Sequence, residues 1–276
     1  MPFTPARFGA KVRDLRVAFE ATPADIAYAT GISSERWDQL ELGRVAPTGD
    51  EILIIADHFG CDFTWLIEDD AVNPDENVRT LFRLEGNRLS ASDRYAIKDF
   101  LHLCKTQALI EDLLGIKSPN PGFTFLPKGS YYIRQGEECA QKLRVWHALR
   151  PNAIIPDIFD WFRKHRIRIF RRALPDSPIS GLFVDHPAAG RCILVNYSED
   201  LYRQRFSAGH EVGHALMDTD KHYNISDRED QSNAMREIRA NSFASTFLMP
   251  PELLRQWGTQ DEWRSPEKIR DAADKL

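Results

Sequence analysis

Cysteine is scarce. Cys61, Cys104, Cys139 and Cys192 are spread over 276 positions with no two at short spacing. That argues against a disulfide frame and against a cysteine-rich zinc site, and it reads as reduced, mostly buried thiols. No run approaches the roughly 18 consecutive apolar residues of a membrane span, and the first residues, Met1 to Arg7, have no apolar core of a secretory signal. A cytoplasmic protein without membrane contact is expected. Basic charge is short at one end. Residues 1–70 hold six Lys and Arg against thirteen Asp and Glu, a net charge of −7, which leaves +2 for the rest of a chain whose total is −5. Otherwise the composition, 42% hydrophobic and 28% charged, is that of a globular protein long enough for two modest domains.

What is present in concentrated form is His210-Glu211-Val212-Gly213-His214. Histidines four apart lie one above the other on a helix face, the spacing at which two imidazoles reach one Zn²⁺. Glu211, between them, points away from a first ligand position and can take a proton from water on the metal's open side. The flanks supply the helix. Ser198 can cap it, Glu199 and Asp200 suit its first turn, and Leu201, Phe206, Val212 and Leu216 give an apolar side. The bland alternative is a surface helix with two solvated histidines.

A third ligand is expected on a later segment. Glu237 stands on a second helix whose apolar positions are Met235, Ile238, Phe243 and Phe247 and which Met249-Pro250-Pro251 ends. Asn241, one turn on, can orient the Glu237 carboxylate. Asp227, Glu229 and Asp230 are rival ligands, but they sit in what reads as a polar loop.

Three pieces together resemble the ImmA/IrrE metallopeptidases: Arg203-Gln204-Arg205-Phe206 running into the HExxH motif, then Glu237-x-x-Ala240-Asn241-x-Phe243-Ala244, then Phe247-Leu248-Met249-Pro250. The resemblance covers about half the chain. It implies zinc held by His210, His214 and Glu237, with Glu211 as catalytic base. It also implies a narrow substrate, a repressor that itself carries a helix-turn-helix, whose cleavage switches on stress or mobile-element genes. Relatives with this pattern often continue with further helices after the Leu-Met-Pro segment, so the expectation is either that a sensor domain is lacking or that this sequence is a shortened one.

Residues 6–67 read as five short helices. Phe8, Val12, Leu15 and Phe19 share one face; Thr22-Pro23 opens a second helix; Gly31 turns the chain; Ser33 caps a third carrying Trp37 and Leu40; Gly43 stops it. A fourth carries Ile52, Ile55, Ala56 and Phe59, and a fifth Phe63, Trp65, Leu66 and Ile67. Helix, glycine turn, helix is the arrangement of a DNA reader, and with Leu40-Glu41-x-Gly43 the layout resembles the XRE/lambda-repressor-like family. Ser34, Arg36, Gln39 and Arg44 are the candidates for contacting DNA or a docked protein. Glu35 and Asp38 on the same helix suit a phosphate-lined groove badly, and a charge of −7 is not a DNA footprint. Dimerisation or docking of a repressor near the protease is the competing use.

Ser92-Asp93 starts a long helix to about Leu114, either a spacer, a dimer stalk or an ordinary amphipathic connector. Residues 116–130, with three prolines, read as linker. Helices follow from about 135 and from Ile155 to Phe162. Strands are expected at Ile167–Phe170, Leu182–Val184 and Cys192–Val195, one of them lying beside the motif helix to pair with an extended substrate. The basic run from Arg163 to Arg172 reads as a solvated edge strand before a nucleic-acid or acidic-partner site. His222 or Tyr223 can stabilise an oxyanion or simply belong to a loop.

The expected architecture is α+β: an all-α helix-turn-helix domain over 1–70, a helical linker over 71–130, and a zincin-like metallopeptidase domain over 131–276 with a small sheet and the HExxH helix. The expected function is zinc-dependent endopeptidase. The alternative is a DNA-binding transcription regulator whose peptidase fold serves as sensor or scaffold. A homodimer is possible in either case.

Overall fold

The computed structural model describes residues 3–68, 89–116, 123, 125–165, 167–174, 177–218, 223–227 and 234–273. It divides into two compact units, Met1–Leu109 with His186–Ala189, and Ile110–Asp185 with Gly190–Leu276.

The N-terminal unit begins with α1 (Pro5–Ala18), α2 (Pro23–Thr30), α3 (Ser34–Glu41), α4 (Gly49–Phe59) and α5 (Phe63–Ile67). These helices are too short to stand on propensity alone, so their ends matter. Thr22 with Asp25 and Thr48 with Glu51 form reciprocal capping boxes, and Ser33 and Asp62 accept from the first-turn amides of α3 and α5. Each such cap contributes about 1 kcal/mol. Trp37 is fully buried with its ring centre 6.2 Å from that of Phe59, and Phe8, Ile26, Leu40, Ile55 and Phe59 are buried as the apolar faces read from the sequence require.

The long helix, α6 (Ala91–Leu113), starts from a Ser90–Asp93 capping box. It is not a free spacer along its first half. Ile97, Phe100, Leu101 and Cys104 are buried, Lys98 Nζ donates to the His58 carbonyl at 2.6 Å, and the buried Arg94 donates to the Ala18 carbonyl.

The C-terminal unit contains α7 (Tyr132–Trp146), α8 (Ile158–Lys164), β1 (Arg168–Arg172), β2 (Ile179–His186), β3 (Gly190–Asn196), α9 (Leu201–Met217), β4 (Tyr223–Asp227), α10 (Ala234–Leu248), α11 (Pro251–Trp257) and α12 (Pro266–Ala273). The sheet order is β1-β3-β2-β4, with β1 parallel to β3 and β4 antiparallel to β2. The core joins Cys139, Leu143, Phe162, Ile193, Val212, Leu216, Phe243 and Phe247, so α7, α9 and α10 pack with the sheet. The chain is therefore α+β, with helices first and a small mixed sheet later.

Three sequence readings change. Residues 223–227, read as part of a polar loop, form the edge strand β4. Within the Pro-rich stretch read as linker, Phe123 and Phe125 are buried in the C-terminal core. In the basic run, Arg168 is buried and paired with Glu111, while Arg163, Lys164, Arg171 and Arg172 are exposed, the Arg171 guanidinium lying 4.5 Å from the centre of the Phe159 ring. Arg166 lies outside the described residues. No described helix is long and apolar enough to cross a membrane.

Candidate metal centre

The HExxH segment lies in the second half of α9. Asp200, rather than Ser198, caps this helix, its carboxylate accepting from the Arg203 amide at 3.0 Å. Leu201 is exposed at the helix start, while Val212 and Leu216 are buried. The close crossing of α9 with α10 depends on Gly213. A Cβ there would sit 3.1 Å from Phe243 Cδ1 and 3.3 Å from Ala240 Cα, tighter than packed side chains tolerate without shifting. That crossing carries Glu237 to the histidines. On α10, Phe243 and Phe247 are buried as read, whereas Met235 and Ile238 are on the exposed side.

Three donor atoms meet. His210 Nε2 lies 3.0 Å from His214 Nε2 and 3.0 Å from Glu237 Oε2, and His214 Nε2 lies 3.2 Å from Glu237 Oε1. His210, His214 and Glu237 each offer a ligand atom within 4.8 Å of the others, both histidines being buried. The outer ring nitrogens are held. His210 Nδ1 donates to Asn241 Oδ1 at 3.0 Å, and His214 Nδ1 donates to Asp218 Oδ2 at 2.6 Å. Protons at both Nδ1 positions leave lone pairs on both Nε2 atoms, and these point at each other and at a carboxylate. Acceptors facing acceptors at this distance are stable only with a positive charge among them. Two imidazoles and a carboxylate oxygen are a donor set that suits zinc.

The electrostatics agree. Burial works against a charged His214, but its hydrogen bonds to Asp218 and Glu237 outweigh that and raise its pKa to about 9. Burial pushes His210 down, against the hydrogen bond to Glu237. Glu237 is held well below the usual carboxylate range, its hydrogen bonds to the two histidines overcoming its burial. One site attracts a single positive charge strongly.

Glu211 is fully buried between the two histidines in sequence, and β2 passes over it. A Cβ at Gly181 would fall 2.7 Å from Glu211 Oε1, so only glycine lets the strand come so near. Asn241, expected to steer the Glu237 carboxylate, instead binds His210 across the helix pair. Asp218 was not singled out in the sequence, although its place four residues after His214 on the same helix face was a usable signal. Of the rival ligands, Asp227 pairs with Ile179 at the end of β4; Glu229 and Asp230 lie outside the described residues, as does His222. Tyr223 opens β4, opposite Val184.

The comparisons with known proteins fit this geometry. Residues 162–265 match the IrrE N-terminal-like domain of peptidase family M78, and residues 7–64 match a helix-turn-helix domain. The chain joins a helix-turn-helix domain to an IrrE-like peptidase domain. A comparison with curated proteins finds no match. The three converging residues and Glu211 all fall inside the IrrE-like match.

In the helix-turn-helix domain two of the four candidate contact residues, Ser34 and Arg36, have other partners. The Arg36 guanidinium forms a two-pronged bridge to Glu51, at 2.7 and 2.8 Å, and also donates to the Ala46 carbonyl at 3.0 Å. Ser34 Oγ donates to the Pro23 carbonyl at 3.3 Å. Gln39 and Arg44 are exposed, and so are Glu35 and Asp38.

Proposed function

We propose that the chain is a zinc-dependent endopeptidase acting on a repressor protein that carries a helix-turn-helix. The observation that carries the reading is the convergence of His210, His214 and Glu237 with their outer nitrogens already held by Asn241 and Asp218. His210, His214 and Glu237 would hold the ion, which when bound supplies Lewis acidity to a peptide carbonyl and to water. Asn241 and Asp218 fix the ring tautomers, so that both Nε2 atoms remain donors to metal. Glu211 accepts a proton from the attacking water at its carboxylate and returns it to the nitrogen of the departing amine. One strand of the sheet would pair with an extended substrate and so position the scissile bond beside α9. Glu211→Gln tests the reading. The variant is expected to keep its zinc and lose cleavage of a co-expressed repressor; undiminished cleavage removes Glu211 from this role.

The helix-turn-helix match also favours a second reading, a DNA-binding transcription regulator with the peptidase fold as sensor or scaffold. Against it stand the −7 charge of residues 1–70 and the capture of Arg36 by Glu51. Protein docking fits this surface better, and it would raise the local concentration of substrate near the protease. A gel shift with the protein's own promoter separates the readings. Tight sequence-specific binding without proteolysis of any neighbouring repressor decides for the regulator.

A further inference from the structure

His214 does not face Asp218 alone. Asp218 is a buried carboxylate at the C-terminal end of α9, and a carboxylate withdrawn from water needs a cation or several donors. Arg239, also buried, supplies them by pairing with Asp218 Oδ1, while Asp218 Oδ2 remains on His214 Nδ1. Arg236 is more exposed and comes only to 3.7 Å. Arg239 is itself fixed from two sides. Its Nη1 donates to Gln135 Oε1 at 3.1 Å, and its guanidinium lies 5.6 Å from the centre of the Tyr132 ring. Gln135 is buried too, and its Nε2 donates to the carbonyls of Gly129 at 2.9 Å and Lys128 at 3.3 Å. Gly136 makes this reach possible. A Cβ there would collide with the Arg239 carbonyl and lie 2.8 Å from Phe243 N, so α7 rests directly on the backbone of α10.

We propose that Arg239, braced by Gln135, is the positioning residue of the metal centre: it holds Asp218 aimed at His214 and so keeps His214 Nε2 turned toward the ion. This inference rests on the reading of His210, His214 and Glu237 as a metal site. It assigns a role to two residues, 104 positions apart in sequence, that touch neither metal nor substrate. An unbraced carboxylate would be free to swing, and the imidazole it steers would swing with it; losses of this kind weaken metal binding about 10–100-fold.

The test is zinc affinity of the full chain, by competition with a chromophoric chelator, with the visible spectrum of the Co²⁺-substituted protein as a report on ligand geometry. Arg239→Met, which keeps length and removes charge, is expected to bind zinc at least about tenfold more weakly and to alter the Co²⁺ spectrum, and Arg239→Lys to recover much of the loss. In an Asp218→Asn background Arg239→Met should add little, because both act through one contact. Should Arg239→Met fail to fold by circular dichroism, Gln135→Leu carries the test, with a smaller loss of the same kind expected and native affinity counting against the proposal. Native affinity and spectrum in folded Arg239→Met overturn the positioning role and leave the metal site standing. A native chain that holds no zinc overturns both.

Discussion

The two units handle charge in opposite ways. In the N-terminal unit donors meet acceptors: Arg36 meets Glu51, Arg16 meets Glu41, and Trp37 Nε1 donates to Glu41 at 2.6 Å. Each of these charged groups is answered by another side chain, and these pairs are complete without a ligand. In the C-terminal unit, acceptors meet acceptors at His210, His214 and Glu237, while the groups behind them, Asp218, Arg239, Gln135 and Asn241, are paired with care. A closed set of polar contacts is architecture. A paired outer set around an inner set that attracts a positive charge is a binding site for a cation.

The contrast can be broken by removing one member from each side. The largest effect is expected from His214→Ala, which takes one of three ligands and exposes the mutual repulsion of the others. Zinc content, measured by atomic emission on the purified chain, should fall from one per chain to none, with cleavage lost. The counterpart is Trp37→Ala. Emptying the centre of the N-terminal core should cost that unit about 3–5 kcal/mol, read by denaturant unfolding, while zinc content stays at the native level. Loss of zinc in Trp37→Ala would mean that the two sets are not separable.

A smaller effect tests how the site is assembled. Gly213→Val places two methyl groups where Phe243 and Ala240 already sit. Overpacking of this kind costs about 1–3 kcal/mol. Because α10 carries Glu237, the same change should weaken zinc binding even though no ligand is altered. Native affinity in a destabilised Gly213→Val chain would show that the crossing of α9 and α10 does not set the ligand geometry.

Much of this was legible in the sequence, for identifiable reasons. The N-terminal helices announce themselves because each has a local cap and one apolar face, and both signals lie within a few residues. The HExxH helix and the Glu237 helix are legible because helical spacing turns sequence positions directly into faces. β4 was missed because Tyr223-Asn-Ile-Ser-Asp227 is only five residues long and holds residues with poor strand preference; its hydrogen bonds to β2 make it a strand. The buried positions of Phe123 and Phe125 were hidden by the prolines around them. Asp218 could have been found from its spacing to His214. Arg239 and Gln135 could not, since nothing local marks two polar residues on different helices as partners; they meet where Gly136 brings α7 against α10.

The smallest expected effect lies in the dependence of stability on pH, away from the metal centre. At the end of α7, His147 packs edge-on against Trp161, ring centres 5.0 Å apart, and 4.0 Å from the His165 ring. Burial, helped by His165, lowers its pKa to about 4. A histidine with a depressed pKa in the folded chain binds its proton more readily when unfolded. Its contribution is therefore complete above the ordinary value of about 6.5 and is lost as pH falls from there toward 4. The ring is partly exposed, so solvent reduces the effect to on the order of 1 kcal/mol between pH 7 and 5. His147→Gln keeps a polar side chain and removes the titration. Unfolding of native and variant chains, both stripped of metal, should therefore show the native losing more stability than the variant over that range. Equal slopes would mean that His147 has ordinary proton affinity, and that burial near Trp161 does not set its charge.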